Sequence, residues 1–192
     1  MTAGGWLADD RVALAADRIL DAAGDLFTRS AAATVGMNDI ATAAGCSRAT
    51  LYRYFDSRDT LFTAYVHRES TRLSREMTEH LASITDPRER LIEGVLLAVR
   101  TVRDNPALAS WFAGTARPIG GEMAGRSEVV TAVTAAFVTS LGTDDARAVQ
   151  RRAQWLIRIV TSLLLFPGVD ESDERGMLAD FVVPVLTEVR PA

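Results

Sequence analysis

The sequence contains no lysine: all 21 of its basic residues are arginine. Set against 25 acidic residues in a chain of 192, they leave a formal net charge of -4. That argues against a protein that holds nucleic acid through bulk positive charge, because such affinity scales with the number of cations brought to the phosphates. There is one cysteine, Cys46, so an intrachain disulfide and a cysteine-rich zinc site are both excluded, and a reducing cytoplasm is expected. Long apolar runs are missing too. The greasiest stretch, Trp155 to Phe166, is interrupted by Arg158, Thr161 and Ser162 and falls short of the roughly 20 residues a membrane span needs. Residues 1–10 lack the basic and apolar parts of a signal peptide.

Catalytic and metal patterns are equally scarce. His67 and His80 lie thirteen residues apart, too far for a metal pair one helical turn apart. No Ser/His/Asp or Cys/His set is evident, and the glycines near 114–126 lack the Gly-Lys-Ser/Thr ending of a phosphate loop. The expectation is a chain that is no enzyme and has no cofactor, no metal and no membrane contact. Cys46 reads as a small turn residue before it reads as a redox sensor.

What is present is helical periodicity. Strand-type alternation and Asn-Gly or Asp-Gly hairpin turns do not occur. Ile19, Ala22, Ala23, Leu26 and Phe27 mark one apolar helix face, with Asp9 or Asp10 as a start signal. Short helices are expected over 37–44 and 48–55, and a long one carries Leu61, Phe62, Tyr65, Val66, Leu73 and Met77 inward. Pro87 opens a fifth helix, and Pro106 a short apolar piece over 107–112. Residues 114–126, with four glycines and a proline, read as a mobile loop. Further helices are expected over 127–141, 146–166 and 175–189, the last kinked or restarted at Pro184.

Between Gly45 and Phe55 there are two arginines and no acid. Gly45 permits a sharp turn, Ser47 is a good N-cap, and the helix after it turns Arg48, Ala49, Tyr52 and Arg53 away from Leu51 and Phe55. Guanidinium forks suit phosphate or guanine, and a phenol can donate to phosphate, as on the recognition helix of a helix-turn-helix. Residues 1–60 hold six arginines against eight acids, a net of -2, so any such contact must be local.

At this point the order of residues becomes specific. The run Arg18-Ile19-Leu20-Asp21-Ala22-Ala23, then Leu26-Phe27, Asp39-Ile40-Ala41, Ala44-Gly45, Ser47, Thr50 to Phe55, and Ser57-Arg58-Asp59-Thr60-Leu61 resembles the N-terminal DNA-binding domain of TetR-family transcriptional regulators. The match covers about a quarter of the chain. It implies an all-α protein with a helix-turn-helix domain over residues 1–58 and a larger helical ligand-binding and dimerisation domain over 59–192. It implies a homodimer on a palindromic operator, with half-sites about 34–36 Å apart per turn of DNA. Carried over by position, the implied DNA contacts are Met37 and Asn38 at the start of the second helix, Ser47 at the cap, and Arg48, Ala49, Tyr52, Arg53 and Tyr54 on the third. Arg58 stands where the family usually has a phosphate-binding lysine. Three positions depart from the pattern: Gly36 replaces a threonine cap, Asn38 stands where arginine is frequent, and Cys46 replaces an aliphatic residue.

Beyond this domain, Trp111, Phe112, Met123, Phe137 and Trp155 could line a cavity for a hydrophobic small-molecule effector, with Arg158 facing an anionic part of it. The opposing reading makes these aromatic residues plain core and Arg158 part of a solvated stripe with Arg151 and Gln154. The stretch from Trp155 to Phe166 is apolar on more than one face. Its Ile159, Leu163 and Phe166, with Phe181 and Val185, are expected to form a four-helix interface between two copies. The sequence therefore reads as a ligand-responsive, DNA-binding regulator, more readily a repressor than an activator. The alternative is a small-molecule-binding helical protein whose helix-turn-helix no longer reads DNA.

Overall fold

The computed structural model describes residues 4–113, 119–142 and 145–187, with side chains from Val12 onward. Among these residues all regular structure is helical. In chain order the helices are α1 (Gly4–Phe27), α2 (Met37–Ala43), α3 (Arg48–Tyr54), α4 (Arg58–His80), α5 (Pro87–Asp104), α6 (Pro106–Ala109), α7 (Gly120–Arg126), α8 (Glu128–Ser140), α9 (Ala146–Leu165), α10 (Glu171–Met177) and α11 (Val183–Thr187). A 3-10 turn, Ala32–Thr34, precedes α2, and a π-helical turn, Leu178–Val182, joins α10 to α11.

The chain forms two compact units. One comprises Met1–Tyr65 with Pro106–Pro118, the other Val66–Asn105 with Ile119–Ala192. In the first, the apolar stripe of α1 (Ile19, Leu20, Ala23, Phe27) is buried, as are Ile40 and Ala41 of α2, Leu51 of α3, and Leu61 and Phe62 of α4. A full burial of one such leucine or phenylalanine contributes about 1.5–3 kcal/mol. Short helices like α2 and α3 are held by this packing rather than by intrinsic propensity.

The second unit is built on α5, whose Leu91, Ile92, Val95, Leu96 and Val99 form one core with Val138 and Leu141, with Ala153, Leu156 and Leu163 of α9, and with Leu178, Val182, Val183 and Leu186. Its α10 is strapped to α5 by ion pairs. Arg100 meets Glu171, Arg103 meets Glu174, and Arg175 meets both Glu89 and Glu93.

Three local expectations change. Residues 120–126 of the anticipated loop are helical, and 114–118 lie outside the described residues. Gly121 is used here for its missing side chain: a Cβ on it would stand 2.8 Å from the Thr161 methyl group. Helix α1 extends back to Gly4, before the aspartates expected to start it. The C-terminal helix begins earlier, at Glu171, where Asp170 caps it by accepting from the Asp173 amide at 2.8 Å. Pro184 lacks an amide hydrogen, and in α-register its ring would press on the carbonyl four residues back; the wide π turn just before it relieves that clash.

Candidate nucleic-acid interface

The turn between α2 and α3 is set by main-chain hydrogen bonds. The Gly45 amide donates to Thr42 O at 3.1 Å, and the Cys46 amide donates to Ala41 O at 3.0 Å. This is a Schellman closure, and it needs a left-handed residue, which Gly45 supplies at φ +66. Ser47 then starts α3, its Oγ accepting from the Thr50 amide at 3.0 Å. At the front of α2, Gly36 has no side chain to cap with. The Gly36 amide still donates to Asp39 Oδ2 at 3.0 Å, so one half of a capping box survives the loss of threonine.

With Leu51 and Phe55 turned inward, α3 exposes Arg48, Ala49, Tyr52 and Arg53, while Tyr54 is half-buried. The Arg48 guanidinium lies 5.8 Å from the Tyr52 ring centre, and that of Arg53 lies 5.4 Å from the Tyr54 ring centre. Among the described residues neither arginine is paired with a carboxylate. The rings hold the guanidinium groups without consuming their N–H donors, which stay open to an acceptor from outside. Asn38 and Ser47 are also exposed.

Met37 and Arg58 are placed differently from the rest. Met37 is 8% exposed and packs with the core face of α2, because it precedes Ile40 and Ala41 at helical spacing. Arg58 turns its fork onto the main chain of residues 32–35.

The residues suggested for an effector are dispersed in role. Trp111 is 3% exposed and sits in an aromatic cluster of the first unit, with ring centres 5.2 Å from Phe27, 5.0 Å from Phe62 and 5.8 Å from Tyr65. Phe112 is half-buried in that unit. In the second unit Met123 is half-buried, and Phe137 lays its ring end against Gly94. Trp155 and Arg158 are not taken inside: α9 turns Ala153, Leu156 and Ile157 to the core, which leaves both on its exposed face. Leu163, expected at an interface, belongs to the chain's own core for the same reason, and Ile159 packs against that core. Phe166, Phe181 and Val185, also expected at an interface, are exposed, the two rings at 76% and 72%. Val169 and Met177, which sequence patterning passed over, share that exposure.

A helix-turn-helix with an acid-free recognition helix defines a DNA-binding protein, and comparison with known proteins agrees. The profile of the bacterial regulatory proteins, tetR family, matches residues 19–65. The chain is 61% identical to the uncharacterized HTH-type transcriptional regulator Rv1255c of Mycobacterium tuberculosis, over 97% of this chain and 93% of that one. Among solved structures it resembles the TetR family repressor AlkX from Dietzia sp., implicated in biodegradation of n-alkanes, at TM-score 0.63 and 23% identity over 88% of this chain and 96% of that one. It also resembles Thermus thermophilus FadR, a transcriptional repressor in complex with lauroyl-CoA, at TM-score 0.62 and 21% identity over 92% and 97% of the two chains. The chain belongs to the tetR family of bacterial regulatory proteins: it is a helix-turn-helix transcriptional regulator and not an enzyme. No helix among the described residues is long and apolar enough to cross a membrane.

Proposed function

We propose that this regulator is a cytoplasmic, ligand-responsive repressor that binds a palindromic operator as a homodimer. The observation that carries the reading is the surface of α3, where Arg48 and Arg53 are exposed, braced by tyrosine rings and free of carboxylate partners. In this reading Arg48 and Arg53 read base edges, Tyr52 meets phosphate, and Asn38, Ser47, Ala49 and Tyr54 complete the contact. Met37 supports them from the core. Residues 1–58 form the reading head, and 59–192 form the effector and dimer domain.

The second copy is supported by Phe166, Val169, Phe181 and Val185, large apolar side chains that solvent would otherwise surround. Trp155 and Arg158, exposed on α9, are assigned to a solvent-facing surface rather than to an effector site. The effector is an apolar small molecule. FadR was solved with lauroyl-CoA and AlkX is tied to n-alkane breakdown, which favours a ligand with a hydrocarbon chain.

Selection of operators from random DNA, followed by fluorescence anisotropy on the winning sequence, tests the proposal. The expected result is a two-fold-symmetric site bound by a dimer and released by an acyl or alkyl compound. A dimer that selects no sequence at low salt would sink it and leave the small-molecule-binding alternative.

A further inference from the structure

We propose that Arg58 is a positioning residue of the DNA-reading head, locking the entrance of α2 to α4 through main-chain carbonyls instead of neutralising a phosphate. Its Nε donates to Val35 O at 2.9 Å, and its Nη2 donates to Ala32 O at 3.0 Å and to Ala33 O at 2.7 Å. The guanidinium carbon also lies 4.4 Å from the ring centre of Phe62, one turn along α4. Three of the five N–H donors are thereby committed and one face is covered, which leaves the two hydrogens on Nη1.

Among the three acceptors Val35 O depends on it most: Val35 is buried, and a main-chain oxygen shut away from water without a hydrogen bond is destabilising, whereas Ala32 O also accepts from the Val35 amide at 3.3 Å and Ala33 is exposed. The stretch also leads directly into α2, whose cap residue Gly36 supplies no side chain. Arg58 cannot stand in for that acceptor, since a guanidinium only donates; it anchors the chain immediately before the cap, from more than twenty positions away. Helix α2 bears the Schellman turn that aims α3, so fixing its entrance fixes the recognition helix. Phe62 is itself locked against Phe27 and Trp111, which gives the clip a rigid base. A lysine cannot reproduce the arrangement, because one ammonium has neither the planar fork for three carbonyls nor the flat face for Phe62.

This proposal rests on the reading of α2 and α3 as the DNA-contacting pair. Its test compares Arg58→Lys and Arg58→Ala with the native chain in operator affinity, in the salt dependence of that affinity, and in amide exchange of Met37–Ala43. A clip predicts that both variants lose about tenfold or more in affinity, that the slope against salt is unchanged, and that the α2 amides exchange faster. A phosphate contact predicts that lysine keeps native affinity, that alanine flattens the slope by about one charge per subunit, and that α2 exchange does not move. That second pattern, or unchanged α2 exchange in Arg58→Lys alone, would overturn the proposal. A native protein that selects no operator would remove the functional reading only, since the exchange measurement still decides the role of Arg58.

Discussion

Arg103 of α5 and Glu174 of α10 meet face to face, Nη1 donating to Oε2 at 3.0 Å and Nη2 to Oε1 at 2.6 Å. Glu174 is 2% exposed, and its Oε1 also accepts from the Gly168 amide, while Arg103 reaches on to Leu163 O at 2.8 Å. One ion pair thus ties together α5, the end of α9, the turn after it and α10. The exposed Phe166, Val169 and Met177 stand on the segments it fastens.

The pH dependence of stability follows from that pair. The Arg103 hydrogen bonds, helped by Gly168, hold the Glu174 carboxyl below its usual value of 4.5 against the opposing effect of burial. A group whose pKa is lowered by folding contributes stability that is present above its unfolded pKa and lost as pH falls through the folded one. Glu174→Gln should therefore destabilise the protein by about 2 kcal/mol at pH 7, a figure reduced because Arg103 is about a third exposed. The gap between variant and native protein should begin to narrow as pH falls past about 4.5 and close only below the lowered folded value. Urea midpoints measured across pH check both; a gap independent of pH would contradict the ionic account.

Gly94 of α5 is a second site with a definite expectation. A Cβ there would overlap Phe137 Cζ and stand 3.3 Å from Leu81 Cδ1, so Phe137, half-buried against the core beside Val138, would have to shift. Gly94→Ala should destabilise by about 1–3 kcal/mol despite the better helix propensity of alanine. In a Phe137→Leu background the penalty should shrink, giving a coupling of roughly 1 kcal/mol in a double-mutant cycle. Additive penalties would mean that the ring is not what the new methyl meets.

The reading head was the most legible part of the sequence, and the reason is local chemistry. Gly45, Ser47 and the inward pair Leu51 and Phe55 act within one or two turns of themselves, so spacing alone announces the turn, the cap and the exposed arginines. Arg58 was not legible in the same way. Its acceptors are main-chain oxygens, which carry no residue signature, more than twenty positions upstream. Glu174 lies in an acidic run that reads as a solvated face, yet its partner is 71 residues away. Trp111, Trp155 and Leu163 show the limit of an apolar stripe: periodicity says that a side chain avoids water, but not whether its own core, a ligand or a second copy covers it. At Gly121 the sequence suggested backbone freedom, whereas the helix uses the absence of a side chain beside Thr161.

Arg48 should separate specific from general DNA binding. Its guanidinium is presented from the first turn of α3 with no carboxylate to release, so its contribution is made wholly in the complex. Arg48→Ala should weaken operator binding by about 1–3 kcal/mol, roughly ten- to a hundredfold, while affinity for random DNA changes little. Anisotropy titrations on both DNAs at one salt concentration measure this. Equal loss on the two would assign Arg48 to the phosphate backbone instead.

The face carrying Phe166, Phe181 and Val185 predicts the assembly state. Phe181 is 72% exposed and lies in the π turn, so most of its ring stands outside the core. Phe181→Asp should therefore leave the helical content and thermal midpoint of the isolated subunit nearly unchanged. At a two-fold interface the change occurs twice. With about 2 kcal/mol lost for each ring, the dimer dissociation constant should rise on the order of a thousandfold. Sedimentation velocity at micromolar concentration would then show a monomer, and operator affinity should fall because the two reading heads are no longer joined. Glu171→Asp on α10, where the carboxylate faces Arg100 of the same subunit, serves as the control that keeps the dimer. If Phe181→Asp sediments as a dimer, the second copy must be covering a different surface, and Trp155 and Arg158 on the exposed side of α9 become the residues to change next.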